Sequence, residues 1–174
     1  MNPLAVSDRG RMEAEWTRRA IRLARKPVAV VSSGDQRQVL VLRLGEERYG
    51  IELADVSEVL PALLCTPVPG APPALAGVIN VHGEIRPVMN LKFLFGIPPP
   101  AGPRMPTPVV LLRQQGREMG LQVDRVEQVR LIDFADTNAA LPTSRYLKGV
   151  TSDTVMLLNA ESLFTELLKD EFTK

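Results

Sequence analysis

The sequence predicts an all-β body of two small closed barrels related by a pseudo-twofold axis, with short helices and an N-terminal amphipathic helix. Three observations predict it. First, Val39 to Val59 lies over Val109 to Val129 without a gap, pairing Val39 with Val109, Arg43 with Arg113, Gly50 with Gly120 and Val56 with Val126. The register resumes where Gly77-Val78 echoes Gly149-Val150 and Val88–Phe95 echoes Leu157–Phe164. A repeat of this length buries its apolar face poorly alone and does so against its copy. Second, the apolar runs are short and separated by Gly and Pro turns, the pattern of closed sheets. Third, the runs alternate or are apolar throughout, as strands are when both faces are covered.

The elements follow in order. From Met12 to Lys26, Met12, Trp16, Ala20 and Leu23 lie on one side of a helix and Arg18, Arg19, Arg22 and Arg25 on other faces, with Pro27 ending it. Val28 to Val31 has the composition of an edge strand before Ser32-Ser33-Gly34. Residues 38–96 form the first module. Its first strand is the run Val39–Leu44, turned at Gly45-Glu46-Glu47 into a return strand with Tyr49, Ile51 and Leu53 on one face. Ala54 to Leu60 starts a third element that Pro61 is expected to close. Pro67, Pro69, Pro72 and Pro73 hold an extended connection. Gly83 then punctuates a hairpin joining Val78–Val81 to Ile85–Met89, and Leu91–Phe95 reads as one helical turn. Residues 97–108, with six prolines, link the modules stiffly. The second module, 109–168, repeats the plan and ends in a helix from Ala160; 169–174 is a tail.

Composition excludes several functions. Net charge is +1, which disfavours bulk capture of nucleic acid, and scattered basic residues with few aromatics offer no base-stacking platform. No apolar run approaches the ~20 residues of a membrane span and no signal core stands at the N-terminus, so the protein is expected in the cytoplasm without direct membrane insertion. One histidine, His82, and one cysteine, Cys65, make neither a zinc cluster nor a nucleophilic dyad. Cys65, in the stretch LLCTPV, reads as a small buried hydrophobe. Lys148-Gly149-Val150-Thr151 lacks the upstream glycine of a phosphate loop, and Gly83 alone is no dinucleotide fingerprint. Acidic pairs such as Glu46-Glu47 fall in turns, where carboxylates are solvated. No enzyme, cofactor or metal site is expected, and a protein-binding function remains.

Several separated motifs occur in an order that resembles the CheW coupling-protein family: LRLGEERYGIELADVSEVL, TPVPGAPPALAGVINVHGEIRPVMNL, GLQVDRVEQV, and YLKGV with VMLLNAESLF. The resemblance spans about residues 38–168, leaving 1–37 as an extension. It implies two five-stranded SH3-like barrels in a non-enzymatic adaptor that couples the cytoplasmic tips of chemoreceptors to the regulatory domain of a CheA-like histidine kinase. The alternative is a CheW-like scaffold of a non-flagellar pathway, such as surface motility, whose receptor binding is altered or lost. By the same resemblance, receptor contact falls on Val56, Glu58, Gly77 and His82, with Leu53 and Ile79 on the same surface. Kinase contact falls around Gly120, Val126 and Gly149. Backbone conformation alone could also demand Gly120 and Gly149.

Two positions depart from the family pattern. Where the family has an arginine this chain has His82, and where it has an aspartate the chain has Asn90. An arginine is permanently charged, whereas an unperturbed histidine titrates near about 6.5, so a Glu58–His82 pair is expected to be weaker than the arginine version. The segment from Gly77 to Val88 is also three residues longer than its counterpart from Gly149 to Leu157, 11 steps against 8, and carries His82-Gly83. A loop extended in one copy of a repeat is a place to expect added binding function.

Overall fold

In the computed structural model, which describes residues 35–99, 105–138 and 144–167, the chain forms two five-stranded sheets with few helical turns. The expected N-terminal helix, the strand at Val28–Val31, the centre of the linker and the tail beyond Leu167 lie outside the described residues. The strands are β1 (Gln36–Leu44), β2 (Glu47–Glu52), β3 (Val56–Leu63), β4 (Leu75–Val81) and β5 (Glu84–Asn90) in the first repeat. The second repeat supplies β6 (Thr107–Gln114), β7 (Arg117–Gln122), β8 (Arg125–Asp133), β9 (Leu147–Val150) and β10 (Val155–Leu158).

Neither repeat is a barrel by itself. One sheet, barrel A, runs β8-β1-β2-β10-β9, and the other, barrel B, runs β3-β6-β7-β5-β4. The first hairpin of each repeat is therefore exchanged: β1–β2 joins β8, β9 and β10, while β6–β7 joins β3, β4 and β5. This corrects the expectation of sequential barrels at 38–96 and 109–168. Barrel B is nevertheless continuous in sequence from Val56 to Gln122. The pseudo-symmetry survives, since β2–β10 and β5–β7 are parallel pairs in equivalent positions.

The exchange explains why β1 and β6 are apolar on both faces. Val39 faces the interior of barrel A with Ile132, Val155 and Leu157, and Val109 and Leu111 face the interior of barrel B with Ile79, Val81 and Val88. Their alternate residues, Leu40, Leu42 and Leu44 with Val110 and Leu112, meet between the barrels in one continuous core with Tyr49, Ile51, Met89, Met119 and Leu121. Burying both faces of a strand removes any need for polar alternation. The helix α2 (Ala160–Leu167) adds Leu163 and Phe164 to the same core, and the helical turn α1 (Leu91–Leu94) adds Leu91.

Two details differ from the sequence reading. Pro61 does not end the third element, because β3 continues to Leu63. Pairing with β6 is irregular between Leu60 and Leu63, and an edge strand tolerates a proline where no N–H is demanded. Cys65 is half-buried and packs beside the barrel B interior.

Barrel B closes through a single bridge outside its strands. Thr66 and Val78 exchange two backbone hydrogen bonds of 2.9 Å each. Asn138 and Val150 make the equivalent bridge in barrel A, with bonds of 2.9 and 3.3 Å.

Candidate functional site

The hairpin between β4 and β5 is built by a two-residue turn. Val81 pairs with Glu84, and His82 and Gly83 between them have φ of 52° and 89°. Two successive positive φ values match the right-handed twist of a tight hairpin, and histidine is among the residues that adopt them more readily. Asn80 Oδ1 accepts the Gly83 N–H at 2.9 Å and fixes the turn. The turn carries His82 to the neighbouring edge strand, where its Nε2 lies 3.1 Å from Glu58 Oε2 on β3. The two side chains are 79% and 42% exposed, so the contact positions the groups and adds little stability.

Of the four candidate receptor residues, the structure brings Glu58 and His82 into direct contact. Val56 begins β3, is half-buried and packs against the central core. Gly77 has a structural reason to be glycine: its φ is 148°, and a Cβ there would stand 2.3 Å from the Thr66 carbonyl oxygen at the closing bridge. Leu53 packs against the central core, and Ile79 is buried inside barrel B.

The kinase candidates divide between the barrels. Gly120 lies on β7 in barrel B, the barrel that also carries the receptor candidates, while Val126 and Gly149 lie on β8 and β9 in barrel A. Gly120 is buried, and a Cβ on it would meet Val109 Cγ1 at 2.6 Å. Packing space, not backbone conformation, selects glycine there and at Gly50, whose Cβ would meet Val39 Cγ1 at the same 2.6 Å. Gly149 is buried as well, but a Cβ would find neighbours no nearer than 3.5 Å. Val126 is half-buried against the central core.

The Glu58–His82 contact forms one side of a groove of about 310 Å³ floored by Val81 and Leu111. Across the floor lie Arg86, Arg113 and Glu118. Glu118 Oε1 accepts from Arg113 at 2.8 and 2.6 Å, and its Oε2 accepts from Arg86 Nε at 3.0 Å. Hydrogen bonds from Arg113, then from Arg86, outweigh burial and hold the Glu118 carboxyl below the usual carboxylate range. Arg86 also pairs with Glu84. Sequence reasoning missed this network, although the alignment of Arg113 with Arg43 already marked the position.

A second groove of about 690 Å³ runs at the far end of barrel B, between the proline-rich β3–β4 connection and the segment after α1. Leu64, Val68, Phe93 and Met105 line it and are exposed. Among the described residues no group of histidine, cysteine and carboxylate side chains could hold a metal ion, and no helix is long and apolar enough to cross a membrane.

Residues 38–168 match the sequence profile of the CheW-like domain. The chain belongs to the CheW family. The crystal structure of the scaffolding protein TtCheW from Thermoanaerobacter tengcongensis superposes with a TM-score of 0.63 and 30% identity, over 71% of this chain and 88% of that one. The chemotaxis protein CheW of Treponema pallidum is 27% identical over 152 residues, 81% of this chain and 88% of that protein. Protein FrzA of Myxococcus xanthus is 33% identical over 102 residues, 58% of this chain and 62% of that protein. As a CheW-family member the chain is a scaffold of chemotaxis signalling. Both departures from the CheW pattern keep a local role. His82 reaches Glu58, and Asn90 caps α1 by accepting the Phe93 N–H at 3.3 Å.

Proposed function

We propose that this protein is a non-catalytic cytoplasmic adaptor that holds a chemoreceptor tip on barrel B and the regulatory domain of a CheA-like histidine kinase on other barrel surfaces. The observation that carries the reading is the Glu58–His82 contact. It joins β3 to the extended hairpin, so two positions far apart in sequence present one exposed polar edge beside a groove. Val56 and Gly77 support that edge from below, Val56 through the core and Gly77 through the closing bridge. The kinase face is assigned to exposed side chains around Val126 and Gly149 in barrel A, and Gly120, buried in barrel B, keeps a packing role.

The mechanism is geometric. An adaptor transmits a signal when its contacts with a partner differ between that partner's two states, and its differential affinity sets how far the equilibrium moves. A rigid pair of barrels sharing one core suits this role, because a displacement at one surface is not absorbed inside the protein.

Glu58 is the clean probe of this reading. Val56 is packed on the central core, so Val56→Asp would disturb fold and interface together. Glu58→Lys reverses a charge at an exposed position and should weaken binding of a receptor cytoplasmic fragment about tenfold or more, as loss of a charge pair at an interface does. Unchanged affinity would remove this edge from the interface.

A further inference from the structure

The repeat supplies an internal control for the groove. Both β1 and β6 carry an arginine at the same place, Arg43 and Arg113, beside an edge strand with an irregularity in its pairing. In barrel A the pairing slips between Gln128 and Val126, and in barrel B between Glu58 and Val56. The extra residue is Glu127 in one and Ser57 in the other, and they are repeat equivalents. A bulge re-aims the side chain it carries. Glu127 accepts from Arg43 Nε at 2.9 Å, leaving Arg43 39% exposed. Ser57 cannot neutralise an arginine, and its hydroxyl lies 3.4 Å from the Leu111 carbonyl oxygen instead.

Arg113 leans instead onto Glu118, its partner across the β6–β7 hairpin where barrel A sets Arg48 opposite Arg43, and stays 64% exposed. Its Nε and one Nη are committed to a single oxygen of Glu118, and its other Nη has no hydrogen-bond partner among the described residues. The network reads Glu84, Arg86, Glu118, Arg113 in alternating sign, and its last member is a held cation at the open side of the groove. Across the groove stands Glu58, in contact with His82. We propose that Arg113 extends the receptor-facing surface across the groove and that it receives a carboxylate presented by the docked receptor tip.

The inference rests on the receptor reading above, and charge complementarity carries it. A guanidinium already fixed by one carboxylate loses little further freedom on meeting a second, and its planar fork suits that acceptor. A carboxylate at Arg113 also avoids the repulsion it would meet beside Glu58. In barrel A, Arg43 has Glu127 to itself and is less exposed, whereas Arg113 shares Glu118 with Arg86, so barrel A should lack this specificity.

The test is a titration of a purified receptor cytoplasmic fragment with the full chain and its Arg113→Gln, Arg113→Lys, Arg43→Gln and Glu58→Lys variants, each checked by thermal melting. The inference expects Arg113→Gln to weaken binding about tenfold, equivalent to about 1.4 kcal/mol. Arg113→Lys should recover part of that loss, and Arg43→Gln should bind within about twofold of the wild type. Neutralising acidic residues of the fragment one at a time should find one whose loss is not additive with Arg113→Gln. If Glu58→Lys weakens binding but Arg113→Gln does not, the inference fails and the receptor reading stands. If Arg113→Gln and Arg43→Gln weaken binding equally, the effect is general charge and the inference also fails. A wild-type protein that binds no receptor fragment overturns both.

Discussion

Gly77 and Gly149 occupy the same position of the repeat, yet alanine should be costly at the first and harmless at the second. At Gly77 the added methyl would stand 2.3 Å from the Thr66 carbonyl oxygen and 2.8 Å from its carbon, both backbone atoms that no rotamer change can clear. The φ of 148° adds strain of about 1–3 kcal/mol for any residue with a side chain. Relieving the clash separates Thr66 from Val78 and breaks the two bonds that close barrel B, each of net value about 0.5–1.5 kcal/mol. The expected cost of Gly77→Ala is therefore about 2–6 kcal/mol, a large share of the 5–15 kcal/mol that holds a typical domain folded. At Gly149 the nearest atoms to a new methyl lie at 3.5 Å, ordinary contact, and φ is not in the left-handed region. Gly149→Ala should leave stability unchanged or raise it by up to about 1 kcal/mol through the unfolded chain. Urea denaturation of the two variants, compared at equal m, measures the difference. If Gly77→Ala unfolds at the wild-type midpoint, the closing bridge does not constrain that glycine. The same pair separates support from contact: a Gly77 variant should lose receptor binding only in proportion to the protein it unfolds.

Gly50→Ala and Gly120→Ala should each cost about 1–3 kcal/mol by overpacking, since the new methyl meets a valine at 2.6 Å in both, and equal losses in denaturant midpoint would support the pseudo-symmetry. Asn90→Ala removes the cap of α1 and should cost about 1 kcal/mol, whereas Asn90→Asp should retain it; thermal melting distinguishes them. Burial raises the carboxyl of Asp55 above its ordinary value of 3.8, so ionising it opposes folding. That opposition is absent at low pH, grows as pH rises from 3.8 through the raised folded value, and is complete above it. Asp55→Asn should therefore stabilise the protein at neutral pH and not below about pH 3, and a denaturant series across pH tests the sign.

The strands were legible because their cause is local. Apolar runs at 39–44 and 109–112 must be covered on both faces, and glycine-containing turns must reverse the chain wherever they fall. The exchange of hairpins was not legible. β1 and β6 present nearly the same side chains to a neighbour, so the sequence does not distinguish pairing with β3 from pairing with β8. Glycine was similarly ambiguous. Gly77 answers to a backbone oxygen, Gly120 to a valine methyl and Gly149 to neither, and one letter stands for all three. Glu58 and His82 entered through resemblance, and their contact was expected. Arg113 was visible only as a repeated arginine. Its difference from Arg43 lies in the acid at the bulge, present as Glu127 and replaced by Ser57, and in the residue opposite, Arg48 for one and Glu118 for the other; only the pairing register brings these beside the guanidinium.

The most direct test of the adaptor role is a binding titration of the purified protein against the regulatory domain of its CheA-like kinase and a receptor cytoplasmic fragment, singly and then together. Binding to each alone, with all three co-eluting as one complex and neither partner displacing the other, is the predicted result. Competition between kinase and receptor fragment for one surface, or failure to bind either, would contradict the account.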